Sequence, residues 1–135
     1  MKKILLALTV VLFALSPAFA QEKATVNKKN LIVKEWNTNG KGARTLDHVI
    51  HYSPEGRKID ETEYDSNGKQ KWRKRYEWGE NGRMARELVY DEHNRLVNYK
   101  TFDYNDLGKK KVQYTYDPKG KLISTKVYEY IIQDV

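Results

Sequence analysis

Short runs of alternating apolar and polar side chains fill residues 31–131, and turn-forming clusters break them at nearly regular intervals. The clearest break is Tyr116-Asp117-Pro118-Lys119-Gly120-Lys121, an aromatic residue, a four-residue turn and a basic side chain. Aromatic residues open the same phrase at Trp36, Tyr52, Tyr64, Trp78, Tyr90, Tyr104 and Tyr116. Their spacings are 16, 12, 14, 12, 14 and 12, and a further 14 lands on Tyr130. Four residues after each comes Gly40, Gly56, Gly68, Gly82, Asn94, Gly108 or Gly120, followed by Lys41, Arg57, Lys69, Arg83, Arg95, Lys109 or Lys121. Such internal repetition takes precedence over any local reading of elements.

Turn chemistry accounts for these residue types. The first turn position is Asn37, Ser53, Asp65, Gly79, Asp91, Asn105 or Asp117, and all but Gly79 can bond the turn's own backbone. Pro54 and Pro118 suit the second position of a type I turn. The fourth requires positive φ, which glycine tolerates best and asparagine next. The phrase predicts a type I turn with a G1 bulge between antiparallel strands. Strands are expected over 31–36, 44–52, 58–64, 70–78, 84–90, 96–104, 110–116 and 122–131.

Strand side chains alternate faces, and every spacing is even. The phrase aromatics are therefore expected on one face, with Ile50, Tyr76, Leu88, Phe102, Tyr114 and Tyr128, and charged residues such as Glu61, Arg73 and Glu87 on the other. If each turn's first residue pairs with the one four later, Lys58 faces Tyr76 and Tyr76 faces Arg86. On that register Lys58 is matched two strands on by Arg86, whereas its equivalent in the repeat is Met84, and such a slip coils a sheet. The predicted fold class is all-β: an antiparallel meander of about eight strands in a strongly coiled single sheet, with closure into a barrel as the competing outcome. A flat sheet would leave the aromatic face wet, so coiling, closure or a partner chain is required.

Composition adds compartment and size. Lys2 and Lys3 precede an apolar run from Ile4 to Leu15, and Ala18-Phe19-Ala20 supplies small residues before Gln21. That is the pattern of a secretory signal peptide over 1–20, which predicts export to the periplasm, cell surface or medium. A polar N-terminal arm, expected as a loose segment or short edge strand, then covers 21–30, and the hairpin-repeat domain covers 31–135. The remaining chain carries 23 basic and 18 acidic side chains, net +5, and no cysteine. It lacks both disulfide staples and any further apolar run of transmembrane length.

Tyr114-Thr115-Tyr116-Asp117-Pro118-Lys119-Gly120-Lys121-Leu122 resembles the YD repeat of Rhs-type and teneurin-type proteins. Leu88 to Leu96 and Glu63 to Lys69 match it less completely. The unit is also similar to MORN-type hairpin repeats, and the whole chain resembles small secreted repeat proteins of gut-dwelling bacteria. These resemblances imply a hairpin-repeat fold and a scaffold or binding role; they imply no catalytic residue and no cofactor.

Candidate chemistry is sparse. His48, His51 and His93 are the only histidines. His48 and His51 point to opposite strand faces and cannot share a metal. A deep pocket holding His48 with a carboxylate would favour an enzyme. Glu61 and Glu63 lie on one strand face, a glycosidase-like pair that an alternating charged exterior also explains. The Glu63 to Gly68 stretch begins like a calcium loop but has Lys74 where the bidentate glutamate belongs. The candidate ligand surface is Trp72, Tyr76 and Trp78 as an aromatic platform, with Lys71, Arg73 and Arg75 as a basic patch. No cofactor or metal is expected, and export argues against nucleic acid. The expected function is a non-enzymatic envelope module that binds a protein or glycan, as monomer or homodimer. The alternative is an immunity- or antitoxin-like inhibitor of a toxin.

Overall fold

A computed structural model describes residues 27–134. The segment read as a signal peptide, and residues 21–26 of the polar arm, lie outside the described residues. Eight strands follow one another: β1 Ile32–Thr38, β2 Arg44–Tyr52, β3 Lys58–Tyr64, β4 Gln70–Trp78, β5 Met84–Tyr90, β6 Leu96–Tyr104, β7 Lys110–Tyr116 and β8 Leu122–Val127. They form one antiparallel sheet in sequence order. β1 and β8 are its edges and do not pair, so the barrel alternative is not met. β8 ends at Val127, four residues short of the expected strand.

The hairpin turns have the predicted chemistry. At the third, Gly68 N donates to Asp65 O (3.0 Å) and Asp65 N to Lys69 O (2.7 Å). The Asp65 side chain meanwhile accepts from the backbone of Asn67 and Lys69. Asn94, standing where the other turns have glycine, sits at φ 61°. Gly79 brings no side-chain acceptor, and Asn81 Oδ1 substitutes by accepting from Arg83 N at 3.0 Å.

The first hairpin departs from the prediction. Its turn is Asn39 to Ala43, not Asn37 to Lys41: Asn39 N donates to Ala43 O, and Asn39 Oδ1 accepts from Lys41 N and Ala43 N. The left-handed residue is Gly42 at φ 81°, and Gly40 has no such conformation. Thr38 thus occupies the aromatic's place, and the irregular spacing of 16 becomes 14. The repeat extends backwards as well. One repeat unit before Ser53 lies Asn27, whose Oδ1 accepts from Lys29 N, with Asn30 at φ 53°. Residues 27–30 therefore hold a turn rather than a loose arm or edge strand, with backbone bonds of its own: Leu31 N donates to Lys28 O (3.2 Å) and Asn30 N to Ser53 O (3.0 Å).

These two glycines give a direct test. Alanine at Gly42 must enter the left-handed region, at a cost of about 1–2 kcal/mol. Alanine at Gly40 meets nothing within 4 Å and no positive φ, so it should be neutral or gain roughly 0.4–1 kcal/mol. Urea unfolding of the two variants should separate them in that order.

The facial pattern is also corrected. Each hairpin from β2·β3 onward carries a bulge one residue beyond the turn, so Tyr64 pairs with Gln70 but Glu63 with Trp72, leaving Lys71 extra. One unpaired residue per hairpin reverses facing parity. Tyr76 therefore faces Glu87, not Arg86, and Glu87 faces Lys100. The phrase aromatics alternate between faces: Tyr52, Trp78 and Tyr104 on one, Tyr64, Tyr90 and Tyr116 on the other. The predicted slip survives, because the offset applies to every hairpin. Thr62 pairs with Arg73 and Arg73 with Tyr90, two places past Leu88, the repeat equivalent of Thr62.

No second layer covers this sheet among the described residues. Only Val49, Ser53 and Thr62 fall below a tenth exposed, and no side chain is fully buried. Three aromatics, 26 residues apart, are instead tied down laterally. Trp78 Nε1 donates to Lys58 O (2.8 Å), Tyr104 Oη to Met84 O (2.5 Å) and Tyr130 Oη to Lys110 O (2.6 Å). Arg57, Arg83 and Lys109 lie over those same rings at 5.6, 5.5 and 5.5 Å. The basic residue of the phrase therefore covers the aromatic two strands onward. On the other face Tyr99 and Tyr116 stack at 5.1 Å.

Candidate functional site

The face bearing Tyr52 and Trp78 also carries Glu35 of β1, His48 of β2, Glu61 and Glu63 of β3, and Trp72, Lys74 and Tyr76 of β4. The ladder fixes this: Glu35 faces His48, His48 faces Glu63, Glu63 faces Trp72 and Glu61 faces Lys74. At the centre His48 bridges three strands, with Nδ1 3.2 Å from Glu35 Oε2 and Nε2 2.8 Å from Glu61 Oε1. Glu61 Oε2 accepts from Tyr76 Oη at 2.6 Å and from Lys58 Nζ at 3.2 Å. The Trp72 ring meets the His48 edge at 6.3 Å, and Lys74 Nζ lies 5.2 Å from its centroid.

Partial burial alone would raise the Glu61 carboxyl. Hydrogen bonds from Tyr76, Lys58 and His48 outweigh it, and the group titrates below the ordinary carboxylate range. Burial first, and the hydrogen bond to Glu61 second, push the Tyr76 phenol well above its usual value. Glu61 is therefore a fixed anion and Tyr76 a fixed donor.

Two clefts open here. One, about 290 Å³, is lined by Glu35, Asp47, His48, Glu61, Glu63 and Trp72. The other, about 600 Å³, runs to the end of the sheet between the first and third hairpin turns; Thr38, Asn39, Tyr64, Ser66 and Lys71 are among its walls. Asp47 belongs to both. Its placement has a local cause. In this hairpin alone the bulge lies deeper in the strand, between Glu35/Trp36 on β1 and His48/Leu46 on β2, so Asp47 is the extra residue. Bulges of this kind re-aim a side chain beside functional sites. No group of three or more His, Cys, Asp or Glu side chains suited to a metal ion occurs among the described residues.

The six residues of the predicted ligand surface do not form one patch. Trp72 and Tyr76 are in this site, and Lys71 borders it, with Nζ 3.2 Å from Glu63 Oε1. Trp78 is fixed at the sheet end by its bond to Lys58 O. Arg73 and Arg75 project from the opposite face, where Arg73 Nε and Nη2 donate to Asp60 Oδ2 at 2.9 and 2.7 Å. Asp47 and Glu35 were not among the predicted residues. The shifted bulge that delivers Asp47 has no sequence signature. Glu35 lies opposite His48 once the register is known.

No protein-family model matches this chain, and no curated protein matches it. Solved structures give distant likenesses. A structure of accessory secretory proteins 1, 2 and 3 of Streptococcus pneumoniae is 16% identical over 70% of this chain and 17% of its own, with a TM-score of 0.34. A GtfA/B complex bound to UDP and GlcNAc is 14% identical over 68% and 24%, at 0.29. A Bacteroides fragilis protein of unknown function is 12% identical over 73% and 93%, at 0.25. The chain spans only about a fifth of the first two, and at these TM-scores the likenesses carry no argument about fold or activity. Among the described residues no helix is long and apolar enough to cross a membrane.

Proposed function

We propose that this chain is an exported, non-enzymatic β-repeat module that binds a glycan at the cell envelope through the face of β1–β4. The observation that carries the reading is the pair of open clefts joined at Asp47 and lined by hydroxyl, amide, carboxylate and aromatic groups. Sugar hydroxyls need bidirectional hydrogen bonding, and the Trp72 indole supplies apolar area beside it. A binding role is supported over acid–base catalysis by the saturation of the central groups. Both His48 nitrogens have carboxylate partners, and Glu61 is held ionised where a general acid needs a raised pKa. Export rests on the pattern at residues 1–20. The YD- or MORN-like character of the repeat, and strong coiling of the sheet favoured by its two-residue slip, belong to the same proposal.

The test is a glycan array probed with residues 21–135, beside a pull-down from envelope fractions. A defined glycan class should bind, and Asp47→Ala or Trp72→Ala should weaken it at least about tenfold with the unfolding midpoint nearly retained. Silence on both screens would sink the binding reading. Capture of a single toxin protein, with no glycan, would replace it by the inhibitor alternative.

A further inference from the structure

The last third of β4 pairs only with the short strand that follows it: Trp78 with Met84, Glu77 with Arg86 and Tyr76 with Glu87. β6 repeats the arrangement with β7. The equivalent residues after β8 are Tyr128, Glu129 and Tyr130, and among the described residues no strand pairs with them. They are nonetheless held in their repeat positions. Tyr130 reaches Lys110 O under Lys109, Tyr128 N donates to Lys111 O (3.0 Å), and Tyr128 Oη to Gln113 Oε1 (3.3 Å). This edge is a preformed half of a hairpin-like ladder. It is also apolar, with Leu122, Ile123, Val127, Tyr130, Ile131 and Ile132 between 49% and 93% exposed.

At the opposite edge β1 is a short strand of the same class as β3, β5 and β7, preceded by its own turn at 27–30 and unpaired on its outer side. We propose that β8 of one copy receives β1 of a second copy, so that the repeat continues head to tail across the boundary.

The β4·β5 register carries over by two repeat units on each side. It places Tyr130 opposite Ile32 of the second copy, Glu129 opposite its Lys34 and Val127 opposite its Trp36. In the internal ladder the Glu129–Lys34 position is Glu77–Arg86, an ion pair at 2.7 Å. The flanking pairs join side chains otherwise left in water: Ile32 is 55% exposed, Trp36 45%, Val127 67% and Tyr130 50%. Charge and apolar area therefore match in the one register that the repeat dictates. A symmetric β8–β8 seam would instead gather Lys121 and Lys126 from both copies, and like charges across a ladder repel. A head-to-tail contact is not satisfied by two copies, so it grows with concentration past a pair, into a filament or a larger ring.

Sedimentation of residues 21–135 from micromolar to ~1 mM tests this. The mean mass should rise past that of a dimer. Lys34→Glu and Glu129→Lys should each weaken association on the order of tenfold, both sites being exposed. The double charge swap, or an equimolar mixture of the two single variants, should restore it to within about twofold. Circular dichroism melts of all three variants should coincide with the original, which separates lost association from lost folding. A monomer throughout, a plateau at the dimer, or a Lys34→Glu variant that associates normally would each overturn the proposal.

Discussion

Deleting Thr101 from β6 is expected to abolish cooperative unfolding, whereas deleting Val97 four residues earlier should leave it intact. Thr101 lies mid-strand between Arg86 and Tyr114. Its loss moves either 96–100 or 102–104 to the wrong face. The first outcome removes Tyr99 from Tyr116 and Lys100 from Glu87, which lie 5.1 and 3.8 Å apart. The second removes Tyr104 from the Met84 carbonyl and from Arg83. Every long strand is held on both sides by such contacts, and no buried core remains to preserve the chain. Val97 is the bulged residue: Tyr90 pairs with Leu96 and Val89 with Asn98. Without it those two pairs become consecutive and all later facing is preserved, at a cost of about 1–2 kcal/mol, typical of one substitution. Urea titration followed by circular dichroism distinguishes a lost transition from a shifted one. Equal behaviour of the two deletions would contradict the bulged register.

Replacing Glu61 by leucine should be the most damaging single substitution in the candidate site, at roughly 2–4 kcal/mol. The side chain is 14% exposed, and its two oxygens serve His48, Tyr76 and Lys58. Leucine would strand a partly buried phenol, an imidazole and an ammonium together. Glu61→Gln keeps the shape and isolates the charge. Because the folded carboxyl titrates below its ordinary value of 4.5, its contribution is complete above that value. It is lost as pH falls through the lower folded-state value. The stability gap between the original protein and Glu61→Gln should therefore be full at pH 7 and shrink towards pH 3. A gap independent of pH would show that Glu61 acts by packing alone.

Strand number and order, and the bounds of β2 to β7, were readable because turns announce themselves chemically. Asp65, Asp91 and Asp117 with Gly68, Asn94 and Gly120 each fix a backbone conformation locally, and alternation fills the space between them. The first turn was misplaced because Trp36 imitates the phrase while Thr38 holds its place, a choice settled only by which glycine takes positive φ. Facing was misjudged throughout, since residues such as Lys71 and Val97 carry no mark of being extra in the ladder. That single unknown also hid the site. Trp72 and Tyr76 could be picked out as aromatics and set apart from Arg73 by strand alternation, but joining them to Glu61 required the register. Asp47 depends on a bulge deeper in the strand than its counterparts, which no local composition signals.

The clasp of Arg57 on Trp78, Arg83 on Tyr104 and Lys109 on Tyr130 reaches no farther than the adjacent unit. Where each unit is held only by its neighbours, there is no shared interior to refill when one is added or removed. The width of such a sheet can change by whole strand pairs, duplicated or lost as cassettes, with the surviving side chains keeping the partners they had. A binding face built this way can be widened, narrowed or rewritten one cassette at a time.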